Sequence, residues 1–431
     1  DYHICVMGMA GLGKTTSISA PNIMHLLTGG SADCPPESLI VLDWKNGELT
    51  RMAAAGTHEL TGEPAIVYAP FADDNAVGIN VFDDIIRLAE RGEPIVDAAR
   101  ARLNSFYSEK IASAGQNSWI DRDALGLSLL VIAARAYLDP EAATLGGLWD
   151  FSQASLDDIT GFMEVASEQS DLAGGFIAAG ASGFLNRYGS DNQRELRWIL
   201  QSMSETFSLF ARGSRLRRAT QTSTVDISAL KKQPRAVFIQ IPDRFIDTAA
   251  SFVLGVLDYM IETLAHADGP VRVSIVAEEF SALPYSESIL KWVRVYRSLG
   301  IRIITVVQDR SGFSRFKKQG GHQTFEQNSV KLYFGLSDAD HLQHLERRAG
   351  KRSVLIPNRS TSLGLQVPGR STGGTEMLTP VLPVSEIARI GAGKAILDMP
   401  GQPLFILERK PWWEQDDIAH RLRDTRPAAG P

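Results

Sequence analysis

The segment that most constrains this chain of 431 residues is its glycine-rich opening. Residues 8–15 read Gly-Met-Ala-Gly-Leu-Gly-Lys-Thr and fit the pattern G-x-x-x-x-G-K-[ST], between an apolar strand pattern and a helical pattern. Here glycines let backbone N–H groups wrap phosphates, the lysine neutralises the β- and γ-phosphates, and the Ser/Thr hydroxyl ligates Mg²⁺. We therefore predict ATP and Mg²⁺ as cofactors. The binding residues are Gly8, Gly11, Gly13, Lys14, Thr15 and Thr16.

A pair of carboxylates gives the second constraint. Residues 273–277 (VSIVA) are typical of a buried parallel strand, and Glu278 and Glu279 follow directly. Two adjacent carboxylates at a buried strand end repel each other and need a positive charge nearby, which we assign to Lys14 and Mg²⁺. A phosphate loop needs an acid on a neighbouring strand, so we predict that Glu278 joins Thr15 at the metal.

Catalytic roles follow for two of these residues. We predict that Glu279 polarises the attacking water as general base and that Lys14 stabilises phosphate charge. The metal position more commonly holds Asp. Glu278 is a methylene longer, which leaves the coordination geometry and the rate open.

Apolar runs along the chain predict an α/β fold. After the opening strand, strand patterns lie at 38–43, 64–71, 235–241, 271–277, 301–307, 330–335, 394–399 and 404–408. Between the third and fourth strands, roughly 150 residues have helical spacing and no strand pattern. We predict a doubly wound, mostly parallel sheet with an inserted all-α domain.

Domain boundaries follow from these patterns. We place the nucleotide-binding domain at 1–83 and 231–415, the helical insert at 84–230, and a flexible C-terminal tail at 416–431. Residues 357–376 are rich in Ser, Gly, Thr and Pro and predict a mobile loop.

Charge and cysteine content limit the environment. The formal net charge is -6, so nucleic acid would have to meet a local positive patch or channel. Cys5 and Cys34 have no histidines at metal spacing, which favours a reducing compartment over a disulfide framework or zinc site. No apolar run approaches the ~20 residues of a membrane span. The chain opens at Asp1 directly on a strand, and we interpret it as a fragment of a larger protein, so the absence of a membrane segment here says little about the parent protein.

Several segments together resemble the VirD4/TraG/TraD family of type IV secretion coupling proteins. The resemblance covers nearly the whole chain outside the helical insert, and it depends on the order and spacing of the segments. They are GLGKTTSISAPNIM, VLDWKNGELT, GINVFDDI, IVAEEFSALP, YRSLGIRIITVVQ, EQNSVKLYFGLSDADHL and VSEIARIGAGKAILDMPGQPLFI. The second segment departs from the family's V-x-D-P-K-G-E-L, with Trp44 for Pro and Asn46 as an extra residue.

The resemblance implies a RecA-like ATPase that works as a ring, usually a hexamer, at the cytoplasmic face of a bacterial inner membrane. It implies membrane attachment through an N-terminal segment outside this sequence, with this chain as the soluble, cytoplasmic part. The implied partners are a secreted protein or relaxase-bound single-stranded DNA, adaptor proteins and components of the secretion channel.

The same resemblance implies two further catalytic residues. Gln308 stands where the family has a polar sensor of the γ-phosphate, and Arg297 matches the proposed arginine finger, which acts on a neighbouring subunit. Arg294, one helical turn earlier, is a rival for the second role. Asp43 and Lys45 at the end of the second strand fit a structural ion pair as well as a nucleotide role.

Two basic segments are candidates for nucleic-acid contacts. They are ARGSRLRRATQTS at 211–223 and LERRAGKRS at 345–353, and each is equally consistent with a solvated face or a subunit contact. The pair Trp412-Trp413 suits either a docking site or the pinning of a terminal segment.

Three functions remain in competition. The first is an ATPase that couples hydrolysis to transfer of a secreted substrate. The second is a nucleotide-gated receptor for cargo or adaptors that hydrolyses negligibly, which the unusual Glu278 motivates. The third is a duplex DNA pump of the FtsK/HerA type, which ranks lower because that family lacks a long helical insert at this point.

Overall fold

The computed structural model describes residues 2–29, 34–189, 192–319, 321–362, 369–391 and 393–423. The strands are β1 (His3–Gly8), β2 (Ser38–Asp43), β3 (Ile66–Tyr68), β4 (Ala236–Gln240), β5 (Val273–Ala277), β6 (Ile301–Val307), β7 (Ser329–Phe334), β8 (Lys351–Ser362), β9 (Gly369–Pro380), β10 (Lys394–Asp398) and β11 (Phe405–Glu408). The first seven α-helices are α1 (Ala20–Thr28), α2 (Glu48–Thr61), α3 (Asp83–Glu90), α4 (Val96–Ser113), α5 (Ser118–Leu138), α6 (Leu145–Ser152) and α7 (Leu156–Ser167). The others are α8 (Phe176–Tyr188), α9 (Gln193–Thr206), α10 (Arg215–Ala219), α11 (Ile246–Ala265), α12 (Glu287–Val295), α13 (Gly321–Asn328), α14 (Ala339–Ala349) and α15 (Val384–Ile387).

A nine-stranded sheet forms the centre of the molecule, in the order β11-β10-β7-β1-β6-β5-β2-β4-β3. All pairs from β7 to β3 are parallel, and β10 pairs antiparallel with both β7 and β11. β1 lies between β6 and β7, so the loop that leaves its carboxyl end stands where ligands bind in open α/β sheets. The predicted fold class, a mostly parallel sheet with a helical insertion, is confirmed.

Both faces of the sheet are covered, which explains the continuous apolar runs in the sequence. In β2, Ile40 and Leu42 face one hydrophobic core, and Leu39 and Val41 face the other. All four side chains are fully buried. The first core is shared with α11 and α12, and the second with α1 and α2.

The helical insertion lies between β3 and β4 and contains α3 to α10. Some of its helices begin at conventional signals: Thr144 caps α6 and Ser155 caps α7, each accepting a backbone N–H with its side-chain oxygen. The side chains of α4, α5 and α9 belong to the same hydrophobic core as the sheet face. The insertion is therefore joined to the sheet by apolar packing through α4 and α11.

Two expectations about the C-terminal part of the chain differ from the structure. Residues 357–362 and 369–376, predicted as part of a mobile loop, belong to the antiparallel hairpin β8–β9, while 363–368 lie outside the described residues. The sequence pattern misses this hairpin because the side chains described in its strands face no core, as Leu355 and Leu378 show with 69% and 66% exposure.

The predicted tail also differs in its first half. Ile418 and Leu422 are buried against the second core, and the Arg423 N–H donates to the Met52 carbonyl on α2. Residues 416–423 are therefore packed onto the protein, and 424–431 lie outside the described residues.

One helical stretch among the described residues, Asp243–Ala265, has the length and hydropathy of a membrane span. It is mostly buried, and its side chains include the fully buried Val253, Val256 and Met260. Its apolar character is accounted for by the core between the sheet and α4.

The contact between α11 and α4 gives a first prediction. A Cβ added at Gly255 would lie 2.6 Å from Cζ of Phe106, whereas one added at Gly161 in α7 would meet nothing within 4 Å. We expect Gly255→Ala to lower the free energy of unfolding by about 1–3 kcal/mol through overpacking. The control Gly161→Ala should raise it by about 0.5–1 kcal/mol by helix propensity. Urea unfolding of both variants measures this, and equal effects would contradict the contact.

Burial of His3 predicts a pH dependence of stability. Its Nε2 donates to the Val293 carbonyl and its Nδ1 accepts from the Ile303 N–H. Burial lowers the pKa of His3 from 6.5 to about 4, so the unfolded chain takes up the proton first as pH falls. This contribution to stability is therefore complete above about pH 6.5 and is lost towards pH 4, a loss of about 3 kcal/mol in all.

Urea unfolding at about pH 7.5 and pH 4.5 tests this expectation. The fall in unfolding free energy should be smaller in His3→Gln than in wild type by about 2–3 kcal/mol. His266→Gln is the control, because that side chain is 83% exposed. A wild-type pH response in His3→Gln would show that the ring is not held neutral by the fold.

Candidate functional site

The glycine-rich loop leaves the carboxyl end of β1 and leads through a π-helical turn, Thr15–Ser19, into α1. Gly11 and Gly13 have φ angles of 78° and 80°, in the left-handed region that favours glycine. A Cβ at Gly8 would lie 2.4 Å from the ring of Phe334 on β7, so the start of the loop packs directly against a buried aromatic side chain. The backbone thus has the curvature of a phosphate-binding loop.

Lys14 is folded back onto this loop. Its Nζ donates to the carbonyl oxygens of Gly8 at 2.7 Å and Met9 at 3.3 Å, and the residue is 7% exposed. Burial lowers the pKa of Lys14, while the negative charges of Glu279 and Glu278 oppose that shift. The ammonium group therefore lies in the electrostatic field of the acid pair.

Glu278 faces the start of the first helical segment across the sheet edge. Its carboxylate accepts hydrogen bonds from the Thr15 hydroxyl, at 3.5 Å, and from the Ser19 hydroxyl. The residue is 3% exposed, and burial raises its pKa, against the lowering effects of Lys45 and the Ser19 hydrogen bond. The structure therefore brings together the two residues predicted to hold the metal.

Lys45, in the loop between β2 and α2, carries the cation that pairs with the acids. Its Nζ lies 3.8 Å from Glu278 Oε2 and 3.8 Å from Glu279 Oε1. We expected Lys14 and Mg²⁺ to supply the positive charge, and among the described residues the direct ion pairs come from Lys45 instead. Of the two alternatives for Lys45, the structure shows ion pairing, with Glu278 and Glu279 as partners.

Asp43 has a local structural task. Its carboxylate accepts from the backbone N–H and hydroxyl of Thr50, each at 2.9 Å, and from the Lys45 N–H at 3.2 Å. These bonds fix the turn between β2 and α2, which contains Asn46 and Gly47 with φ angles of 53° and 77°. Asp43 thereby holds the segment that presents Lys45 to the acids.

Glu279 occupies a strained position. Its φ of 44° is uncommon for a residue with a side chain, and such conformations recur at functional sites. The side chain is 20% exposed, so it reaches solvent, unlike Glu278. A carboxylate that meets water beside a phosphate loop can act as a general base.

Gln308 lies next to the loop. It directly follows β6, whose Val307 pairs in register with Met7 of β1, so Gln308 is level with Gly8 and is exposed at the carboxyl edge. Its position suits a contact with a ligand bound by the loop.

The two candidate arginine fingers lie far from this edge. Arg297 is in the turn before β6, at the amino ends of the parallel strands, with its guanidinium 5.5 Å from the ring centroid of Tyr2. Strands of six residues separate the two edges by about 20 Å. Arg294 donates to the hydroxyl of Thr324 at 3.0 Å. Neither side chain can reach the phosphate loop of its own subunit.

The first basic segment is largely paired with acids. Arg212 and Arg217 contact Asp150 at 2.9 and 2.5 Å, and Arg215 contacts Asp73 at 2.5 Å. These pairs favour a structural role for the segment at 211–223.

The second basic segment is only partly paired. Arg348 lies 3.2 Å from the buried Asp398, whereas Lys351 and Arg352 begin the exposed strand β8. The segment at 345–353 keeps the greater positive charge for a polyanion.

The oxygen donors at the loop fit a magnesium–nucleotide complex. Mg²⁺ prefers carboxylate and hydroxyl oxygens together with substrate phosphates, and Thr15 and Glu278 offer such a pair at 3.5 Å. Among the described residues no group of three or more His, Cys, Asp or Glu side chains could hold a metal alone. A metal here would need phosphate oxygens as additional ligands.

The sequence as a whole now decides the family. Residues 1–429 match the family described as type IV secretory system, conjugative DNA transfer. The chain belongs to this family. The resemblance noted from the motifs is thereby confirmed, and the match includes the helical insertion. No curated protein sequence matches.

Solved structures of other proteins share the fold of this family member. The bacterial conjugative coupling protein TrwBdeltaN70, unbound, matches with a TM-score of 0.65 at 14% identity, over 95% of this chain and 84% of that one. TrwB in complex with ADP and Mg²⁺ has a TM-score of 0.65 at 13% identity, over 95% and 85%. VirB4 of Thermoanaerobacter pseudethanolicus has a TM-score of 0.54 at 12% identity, over 96% and 90%. These likenesses place the chain among P-loop NTPase folds with an all-α domain.

Sequence reasoning missed two side chains at the site, Ser19 and Arg409, and left the partner of Lys45 open. Ser19 follows Thr15 by one helical turn, so its place beside Glu278 has a local signal in the spacing. The double ion pair of Lys45 depends on the adjacency of β2 and β5. Arg409, which contacts the loop from near the C-terminus, has no local signal at all.

Lys45 generates a prediction about the acid pair. We expect Lys45→Met to lower the free energy of unfolding, without nucleotide, by about 1–2 kcal/mol because the buried carboxylate loses its cation. In a Glu278→Gln background the same change should cost much less, since a neutral amide needs no counter-charge. Urea unfolding of the four proteins provides the double-mutant cycle. An equal cost in both backgrounds would show that Lys45 acts through packing alone.

Proposed function

We propose that this family member is an ATPase that couples ATP hydrolysis to transfer of a substrate through a type IV secretion system. The observation that carries the proposal is the hydrogen bond between Thr15 and Glu278, which joins the phosphate loop to the acid pair. Complexes of TrwB with ADP and Mg²⁺ and with a non-hydrolysable ATP analogue support a nucleotide role for the shared fold.

The residues of the loop would bind and orient the nucleotide. Backbone N–H groups from Gly8 to Thr16 would surround the phosphates, and Lys14 would leave the carbonyls of Gly8 and Met9 to meet phosphate oxygens. Bound Mg²⁺ supplies charge neutralisation of the β- and γ-phosphates. Thr15 and Glu278 would hold it, with Lys45 as the cation that balances the acids when no metal is bound.

Hydrolysis would use the more exposed acid. Glu279 would accept a proton from the attacking water, and Gln308 would contact the γ-phosphate from the end of β6. Glu278 and Glu279 follow β5, and Gln308 follows β6. These two strands are neighbours in the sheet, and β6 lies beside β1. Their arrangement supports direct attack of water on a phosphate bound in the loop.

The position of Arg297 supports a ring assembly. Because it lies at the opposite edge of the sheet from its own loop, it would act on the nucleotide of a neighbouring subunit. We propose a hexamer at the cytoplasmic face of the bacterial inner membrane, in keeping with the family. Arg294 is a weaker candidate because its guanidinium is already bound to Thr324.

The substrate would be relaxase-bound single-stranded DNA or a secreted protein. Family membership supports DNA transfer, and adaptor proteins and channel components would be the other partners. Among the basic segments, 345–353 is the better candidate for phosphate contacts because 211–223 is neutralised by Asp73 and Asp150.

A nucleotide-gated receptor is the second candidate function. Both oxygens of Glu278 are already engaged by hydroxyl groups, and Lys45 pairs with both acids. This arrangement would favour binding of nucleotide over rapid turnover. Cargo binding that changes between ADP and a non-hydrolysable ATP analogue, with negligible hydrolysis, would support it.

ATP turnover tests the enzymatic proposal. We expect Lys14→Ala and Glu279→Gln each to lower the hydrolysis rate by about 100-fold or more, the usual effect of losing a general base or phosphate charge. Glu279→Gln should still bind ATP, because its carboxylate acts on water. Glu287→Gln, an exposed acid at the start of α12, is the control. Equal rates in all four proteins would remove the hydrolytic claim.

A further inference from the structure

Arg409 contacts the outer side of the phosphate loop from the end of β11. Its Nη1 donates to the Leu12 carbonyl and to the Ser17 hydroxyl oxygen, each at 2.6 Å. The Ser17 hydroxyl in turn donates to the Gly13 carbonyl at 2.6 Å. Two consecutive carbonyl groups of the loop are therefore held, one directly and one through a serine.

Planarity of the peptide bond gives these contacts a consequence for ligand binding. In a trans peptide the C=O and the following N–H point in opposite directions. The bond from Arg409 turns the Leu12 carbonyl towards Arg409, so the following N–H, that of Gly13, points to the opposite side of the loop. The Gly13 carbonyl also accepts the Ser17 N–H at 2.9 Å and the Thr16 hydroxyl at 3.4 Å, and the Ser17 hydroxyl adds a further bond that keeps the Lys14 N–H turned the same way. These N–H groups belong to the set that would surround the phosphates.

The position of the guanidinium is itself fixed. Its Cζ lies 3.9 Å from the ring centroid of Phe334, the side chain that also meets Gly8. Arg409 is 8% exposed, and a planar cation stacked on an aromatic face has little freedom to turn. The stack thus aims Nη1 at the loop.

The chain on both sides of Arg409 is anchored. Its backbone N–H donates to the Gly393 carbonyl beside β10, and Trp412 is buried in the core that α1 shares. Further on, Ile418 and Leu422 pack into the same core. The contact at the loop therefore belongs to a segment fixed at several points.

We propose that Arg409 is a positioning residue for nucleotide phosphates, acting through the peptide groups of Leu12 and Gly13. This inference rests on the proposed function, since it concerns how the same loop takes its ligand. Arg409 does not touch the phosphates. It orients two backbone N–H groups towards them. Ser17 connects Arg409 to the second of these peptide groups.

Calorimetric titration with Mg²⁺–ADP tests the assignment without relying on turnover. We expect Arg409→Met to raise Kd about tenfold, as loss of a charge-assisted bond to the loop implies. The number of sites filled should stay at the wild-type value. A defect of folding alone would lower the number of sites and leave Kd unchanged. Lys410→Met is the control, because the neighbouring side chain is exposed.

Ser17→Ala provides a second measurement. It removes the relay, so its effect on Kd and that of Arg409→Met should be less than additive in the double variant. Arg409→Lys should lie between wild type and Arg409→Met, because a lysine keeps the charge and loses the planar stack.

The outcomes separate the two claims. Wild type that binds Mg²⁺–ADP, with Arg409→Met equal to Lys410→Met in Kd, would overturn the role of Arg409 and leave the proposed function standing. Strictly additive effects of Ser17→Ala and Arg409→Met would overturn the relay. Wild type that shows no binding would overturn the proposed function itself.

Discussion

The site depends on one buried carboxylate, Glu278. Removal of a charged group from water is costly unless hydrogen bonds and an opposite charge replace the solvent. Thr15 and Ser19 supply the hydrogen bonds, and Lys45 supplies the charge. Because these partners come from the phosphate loop's helix and from the β2–α2 turn, Glu278 joins three segments. A divalent cation bound at Glu278 would have to compete with these same partners for its carboxylate oxygens.

The sheet explains why these distant residues meet. β5, which ends before Glu278, lies between β2 and β6, and β6 lies beside β1. The parallel direction brings the carboxyl ends of all four strands to one edge. The chemistry at that edge then depends on loops whose conformations are unusual, as the positive φ angles of Gly13, Asn46 and Glu279 show. Rigid strands therefore carry a set of strained turns.

Much of this arrangement could be predicted from the sequence, and the limits have physical causes. β2 and β6 begin and end at the predicted residues because strands buried on both faces leave continuous apolar runs. The meeting of Thr15 and Glu278 was predictable because both follow strands of one parallel sheet. Lys45 was ambiguous, since its partner depends on which strands are neighbours. Arg409 was invisible because it lies 397 positions from Leu12 in the sequence. The hairpin β8–β9 left no pattern because the side chains described in it face no core.

The apolar packing between the helical insertion and the sheet bears on how force would be transmitted. Separate domains of one chain usually move against each other unless their interface is large and hydrophobic. Here α4 and α11 interlock, with Phe106 seated on Gly255, and one continuous core runs from the insertion to β2, β5 and β6. We therefore expect the helical insertion and the sheet to move together as one rigid body. In the proposed ring, mechanical work on a transported polymer would then come from rotation of whole subunits against one another, rather than from a hinge inside each.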